Sequence, residues 1–88
     1  MRIKDGFVVR EIGGKYFAVP VGERSRDFHA MISLNDTAKK MWELLLKETT
    51  PDEVSEALAS EYGISADKVR NDVLGFIDTL RKADLILE

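Results

Sequence analysis

The sequence predicts an α+β fold, in which a three-stranded antiparallel N-terminal sheet precedes three α-helices in a winged helix-turn-helix-like arrangement. Two segments rich in β-branched and aromatic residues flank Gly13-Gly14, a dipeptide typical of tight hairpin turns. Beyond residue 35 the apolar residues recur at the 3-4 spacing of amphipathic helices. We therefore expect one domain over 1–88, with the sheet at about 7–33 and a three-helix bundle at about 36–83.

The three strands are predicted from residue type and alternation. The hairpin strands span about 7–12 and 16–21, and Pro20 favours a strand end because proline cannot donate to a ladder. The polar residues 22–27 are typical of a loop. Residues 28–33 then alternate in polarity, which indicates a third strand that leads directly into the first helix.

The three helices are predicted from capping residues and apolar periodicity. The first helix spans about 36–47 and is capped by Asn35 or Asp36. The second spans 51–62, behind a Thr50-Pro51 start and before a Gly63 stop, and the third spans about 66–83 behind Ser65. The buried side of the second helix is predicted to contain Val54, Ala57, Leu58 and Tyr62. The apolar tail 85–87 is expected to pack back on the core.

The composition argues against catalysis, metals and cofactors. The chain has no cysteine and one histidine, His29, so neither a thiolate nucleophile nor a metal site with several ligands is indicated. No segment reaches the length of a membrane span, and the N-terminus lacks the apolar core of a signal peptide. We expect a cytoplasmic protein that is not an enzyme, has no cofactor and does not contact a membrane.

A winged-helix DNA-binding regulator is the alternative hypothesis. In that mode the third helix would enter the major groove. Its bases Lys68, Arg70, Arg81 and Lys82 are, however, interspersed with acids, and residues 51–64 contain four acids and no base. Because phosphate neutralisation supplies most non-specific affinity for DNA, this charge pattern argues against a nucleic-acid partner.

Peptide binding by strand addition requires an open strand edge beside a partly apolar helix. Strand 28–33 is short, follows a charged loop and leads into a helix, which is typical of an edge strand. Met31, Val69 and Val73 either line a groove beside this edge or belong to the core, and the sequence leaves both open. A further hypothesis is a small interaction subunit that uses this edge for a protein partner or for weak homodimerisation.

Three segments of the chain resemble the PqqD-like family. Leu34-Asn35-Asp36-Thr37-Ala38 with Met41-Trp42-Glu43-Leu44-Leu45 is similar to that family's LNxTxxxxWELL segment, and Thr50-Pro51-Asp52-Glu53-Val54 also fits. Residues 72–80 resemble its DVxxFLxxL helix. Asp84 stands where members often have glycine.

The resemblance implies a recognition element for ribosomally made, post-translationally modified peptides. It implies that the leader of a precursor peptide lies as an added strand between the third strand and the third helix, and that a modifying enzyme, such as a radical-SAM enzyme or a leader protease, is the second partner. The peptide-binding residues it implies are Phe28, His29, Ala30, Met31, Ile32, Ser33, Lys68, Val69, Asp72, Val73 and Phe76.

Overall fold

The computed structural model describes residues 1–27 and 31–88. In chain order its elements are β1 (Arg2–Ile3), β2 (Phe7–Ile12), β3 (Lys15–Pro20), α1 (Arg24–Asp27), β4 (Ile32–Leu34), α2 (Asp36–Leu44), α3 (Pro51–Tyr62), α4 (Ala66–Lys82) and β5 (Ile86–Leu87). The predicted α+β, winged-helix-like fold is confirmed: a three-stranded antiparallel sheet precedes three main helices.

The main sheet has the strand order β2-β3-β4. In its register Val9 lies opposite Ala18, which in turn lies opposite Ile32. Ala18 is fully buried, and Val9 and Ile32 pack against the core. Because side chains in a strand alternate between the two faces, this row marks the face of the sheet that covers the helices.

Local capping sets three of the six ends of the main helices. The side-chain oxygen of Asn35 accepts a hydrogen bond from the Ala38 amide at 2.7 Å, which starts α2. Thr50 accepts from the Glu53 amide at 3.2 Å and Pro51 takes the first helical position of α3, while Gly63 ends it with a φ of 68°. The predicted bounds of α3 are therefore confirmed.

The core lies between the sheet and the helices. Trp42 of α2 and Leu45, which directly follows α2, share this core with Leu58 of α3, and α4 adds Val73 and Leu80. The T-shaped contact between the Phe7 and Trp42 rings, with centroids 5.9 Å apart, joins the first hairpin strand to α2.

A two-stranded sheet of β1 and β5 was not predicted. It pairs Arg2 with Leu87 and Ile3 with Ile86, and Ile3, Leu85 and Ile86 are buried. The tail 85–87 does pack back on the core, as expected. Asp84, just before it, has a φ of 62°, in the left-handed region where glycine is favoured.

One predicted loop and one predicted helix end are wrong. The segment 22–27 contains the one-turn helix α1 rather than a continuous loop. The first main helix ends at Leu44 instead of residue 47, because the Leu45 carbonyl accepts the Ile3 amide at 2.9 Å and the chain turns there.

Two details of the helix surfaces also differ from the prediction. Ser65 stands at the N-cap of α4 but makes no side-chain capping bond. On α3 the buried residues are Val54, Ser55, Leu58 and Ala59, whereas Ala57 is exposed and Tyr62 is 43% exposed.

The predicted third strand is described only in part. Phe28, His29 and Ala30 lie outside the described residues, and the strand that is described, Ile32–Leu34, extends one residue beyond the predicted end. No helix among residues 1–27 and 31–88 is long and apolar enough to cross a membrane.

Candidate functional site

Strand β4 lies at the edge of the main sheet. It pairs with β3 on one side, and within the described part of the chain no strand pairs with its other side. In an antiparallel strand alternate residues direct their N–H and C=O groups away from the partner strand, so an edge carries backbone groups that another strand can pair with. Ile32 is half-buried, Ser33 is exposed and Leu34 is buried.

A cleft of about 460 Å³ begins where β4 ends. Asn35, which directly follows β4, lies at one wall, and the first two turns of α2 continue that wall. The opposite wall is the middle of α4. The lining residues are Asn35, Thr37, Ala38, Met41, Asn71, Asp72, Gly75, Phe76 and Thr79.

Two adjacent rows of α4 have different surroundings. Asp72 and Phe76, one helical turn apart, line the cleft, and Lys68 is exposed one turn earlier. We call residues 68, 72 and 76 the cleft row. The neighbouring core row is buried and consists of Val69, Val73, Ile77 and Leu80.

Gly75 makes room in the α4 wall. A Cβ atom built on Gly75 would meet nothing within 4 Å, and the residue is helical. The hydroxyl of Thr79, one turn later, donates to the Gly75 carbonyl at 3.0 Å, so this side chain of the lining is held in place. Phe76 is half-buried and packs against the core while it borders the cleft, which supplies an apolar surface at its base.

The structure brings together only part of the predicted site. Ile32 and Ser33 form the described edge, Met31 is 57% exposed beside it, and Asp72 and Phe76 line the cleft. Lys68 belongs to the cleft row but does not line the cleft. The predicted residues 28–30 lie outside the described residues.

Val69 and Val73 belong to the core row rather than to a groove wall. Val73 has no exposed surface and Val69 has 7%, so in this conformation they have almost no surface to offer a ligand. A residue on an α-helix is rotated by about 100° from its neighbour, so a one-residue shift exchanges the two rows. Of the two possibilities that the sequence left open, both valines therefore belong to the core in this structure.

The contribution of α2 to the cleft was not predicted. Asn35 was predicted only as a helix cap, and Thr37, Ala38, Met41 and Gly75 were not predicted to line a site. A sequence signal did exist for Gly75, since glycine in a helix interior costs about 1 kcal/mol relative to alanine and leaves a gap in the side-chain surface.

Three of the four bases of α4 are paired. Arg70 of α4 bonds to Asp52, Arg81 contacts Glu88 at 2.6 Å, and Lys82 contacts Asp78 at 3.1 Å. These pairs leave α4 little cationic charge to offer phosphates, so the structure adds nothing in favour of DNA binding.

Two lysines of α2 have raised pKa values. The hydrogen bond to the Glu43 carboxylate raises the pKa of Lys39, and that to Glu61 raises the pKa of Lys40. Lys39 is thus paired within α2, and Lys40 links α2 to α3. No group of acidic or histidine side chains in the described residues is arranged to hold a metal ion.

The comparisons with known proteins agree with this architecture. The model of the family "Coenzyme PQQ synthesis protein D (PqqD)" matches residues 8–86, and the chain belongs to this family. The resemblance to the PqqD-like family is thereby confirmed. No curated protein matches the sequence.

A solved structure shares the fold. It is TbiB1 in complex with the TbiA(beta) leader peptide, which is 22% identical in sequence and superimposes with a TM-score of 0.70. The alignment covers 97% of this chain and 93% of that chain. The similarity therefore includes both the sheet and the three main helices.

Proposed function

We propose that this chain is a non-catalytic peptide chaperone, which binds the leader of a ribosomally made precursor peptide and presents it to a modifying enzyme. The observation that carries the proposal is the edge strand β4, paired on one side only within the described residues and continuous with the cleft against α4. Membership of the PqqD family and the shared fold with a leader-peptide complex support the same function.

The proposed binding mode is strand addition. A leader that pairs with the outer side of Ile32–Leu34 gains main-chain hydrogen bonds whatever its sequence. Three residues provide few such bonds, and ordering an unstructured peptide has an entropic cost. The leader must therefore also place side chains in the cleft, where the half-buried Phe76 supplies apolar contact.

The proposed role in biosynthesis is to raise the local concentration of the precursor peptide at the modifying enzyme. A chain that holds the leader and docks on the enzyme converts the meeting of enzyme and substrate into an intramolecular event. Such a role requires no catalytic group in the chaperone, and it requires that the leader and the enzyme occupy different surfaces.

Substitution at Gly75 tests the proposed site. A fluorescently labelled synthetic leader, copied from the precursor peptide encoded beside this chain, is titrated with wild type, Gly75→Trp and Gly75→Ala. The Trp side chain enters open space and fills the cleft. We therefore expect the affinity of Gly75→Trp for the leader to fall by about tenfold or more, which corresponds to about 1.4 kcal/mol.

Gly75→Ala is the matched control. Alanine favours a helix over glycine by about 1 kcal/mol and occupies little of the cleft, so stability should rise and affinity should stay within about threefold. Circular dichroism and thermal melting establish that both variants fold. If folded Gly75→Trp binds the leader as tightly as wild type, the cleft is not the site.

A further inference from the structure

The main sheet has a second face, which points away from the helices. In β2 the side chains of Phe7, Val9 and Glu11 face the core side, as their register with the Ala18 row requires. The alternate residues must therefore lie on the opposite face. This outer face consists of Val8, Arg10 and Ile12 of β2, Lys15, Phe17 and Val19 of β3, and Ser33 of β4.

The outer face is largely apolar. Ile12 is 53% exposed, and Val8, Phe17 and Val19 are half-buried although none of them packs against the core cluster. The helices α2, α3 and α4 all pack on the Ala18 side of the sheet. Arg24 of α1 lies over the ring of Phe7, which faces that same side. A contiguous apolar sheet surface of this kind is typical of an interaction site.

Among the described residues, the charges on the outer face are all positive. Arg10 and Lys15 lie there, and within the described residues neither has an ion-pair partner, although most other bases of the chain are paired. The acid of β2, Glu11, lies on the opposite face of the sheet. This local positive charge stands in a chain whose net charge is −3.

We infer that the outer face is the docking surface for the modifying enzyme, through an apolar segment of that enzyme bordered by carboxylate side chains. The inference rests on the proposed function, which needs a second surface beside that of the leader. The cleft lies between α2 and α4, on the helix side of the sheet, so one chain can hold the leader and the enzyme at the same time.

Charge decides between the candidate occupants. Two copies of this chain that met through their outer faces would bring four unpaired bases together, which disfavours self-association. Two bases are few for a phosphate backbone or an anionic membrane, and the net negative charge of the chain opposes both. An acidic protein surface fits both the apolar and the cationic groups.

The test measures two affinities for each variant. The probe is the purified modifying enzyme encoded beside this chain, immobilised for surface plasmon resonance, with the chain supplied either with or without saturating leader. The variants are Arg10→Glu/Lys15→Glu and Ile12→Ser. The control, Lys47→Glu/Lys82→Glu, makes the same change in net charge at exposed positions off the outer face.

We expect both outer-face variants to bind the enzyme about tenfold or more weakly, the control to change by less than about threefold, and the leader affinity of all of them to equal that of wild type. The inference is overturned if the control loses as much enzyme affinity as the outer-face variants, or if Arg10→Glu/Lys15→Glu loses none. It is also overturned if that variant loses affinity for the leader, or if wild type does not bind the enzyme.

Two further outcomes would assign the surface to another occupant and also overturn it. One is a dimer in sedimentation equilibrium that Ile12→Ser abolishes. The other is binding to vesicles of 30% anionic lipid that Arg10→Glu/Lys15→Glu abolishes. Failure of wild type to bind the leader would contradict the proposed function alone, because enzyme docking is also measured without leader.

Discussion

The core row and the cleft row of α4 are adjacent on one helix, yet they differ in almost every physical property. Val69 and Val73 are buried and hold α4 against the rest of the core, whereas Lys68 and Asp72 are exposed beside an open cleft. The rows differ by one residue of register. The packing surface of this helix and its proposed binding surface are therefore separable, so substitutions in each row should have separate effects.

The largest expected effect is on stability, from the core row. Val73→Asp places a carboxylate in the core, and we expect the free energy of unfolding to fall by at least about 3 kcal/mol. Chemical denaturation followed by circular dichroism measures this change. The matched variant is Asp72→Ala, one residue away, which should change stability by less than about 0.5 kcal/mol. Similar losses for both variants would mean that the two rows are not distinct.

A smaller effect is expected at the starts of the two helices that form the cleft. Asn35 caps α2 with a 2.7 Å hydrogen bond, so Asn35→Ala should cost about 1 kcal/mol of unfolding free energy. Ser65 makes no capping bond to α4, so Ser65→Ala should cost less than about 0.5 kcal/mol. Thermal or urea denaturation of both variants distinguishes them, and a larger loss at Ser65 would contradict the capping geometry.

The smallest effect is expected from the exposed end of the cleft row. Lys68 lies in solvent, where a single charge contributes little and is screened by salt. Lys68→Ala should therefore change leader affinity by less than about threefold in anisotropy titrations, and any difference should vanish at high salt. Lys82→Ala, at the far end of α4, serves as the control. A tenfold loss that persists in high salt would make Lys68 an anchor rather than a peripheral charge.

Local signals in the sequence were sufficient for much of the fold. The Gly13-Gly14 turn predicted the hairpin, and Thr50-Pro51 with Gly63 predicted both ends of α3. The β1–β5 sheet could not be predicted in this way, because two-residue strands have no periodicity and their pairing joins opposite ends of the chain. The early end of α2 likewise depends on a distant amide, that of Ile3.

The candidate site was less predictable than the fold. Helical periodicity identifies an apolar row on α4 but does not say what covers it, so Val69 and Val73 could be placed in either a core or a groove. The α2 wall of the cleft depends on how two helices far apart in sequence come together. The outer face of the sheet follows from the alternation in β2 once the direction of Val9 is known.

Amide hydrogen exchange with and without saturating leader peptide tests the claim that a leader adds as a strand to β4. Exchange should slow at amides within Ile32–Leu34, because β4 is the edge strand beside the cleft. Amides of β2, which is the edge strand on the other side of the sheet, should keep their exchange rates. Slowed exchange along β2 with unchanged rates in β4 would contradict the claim.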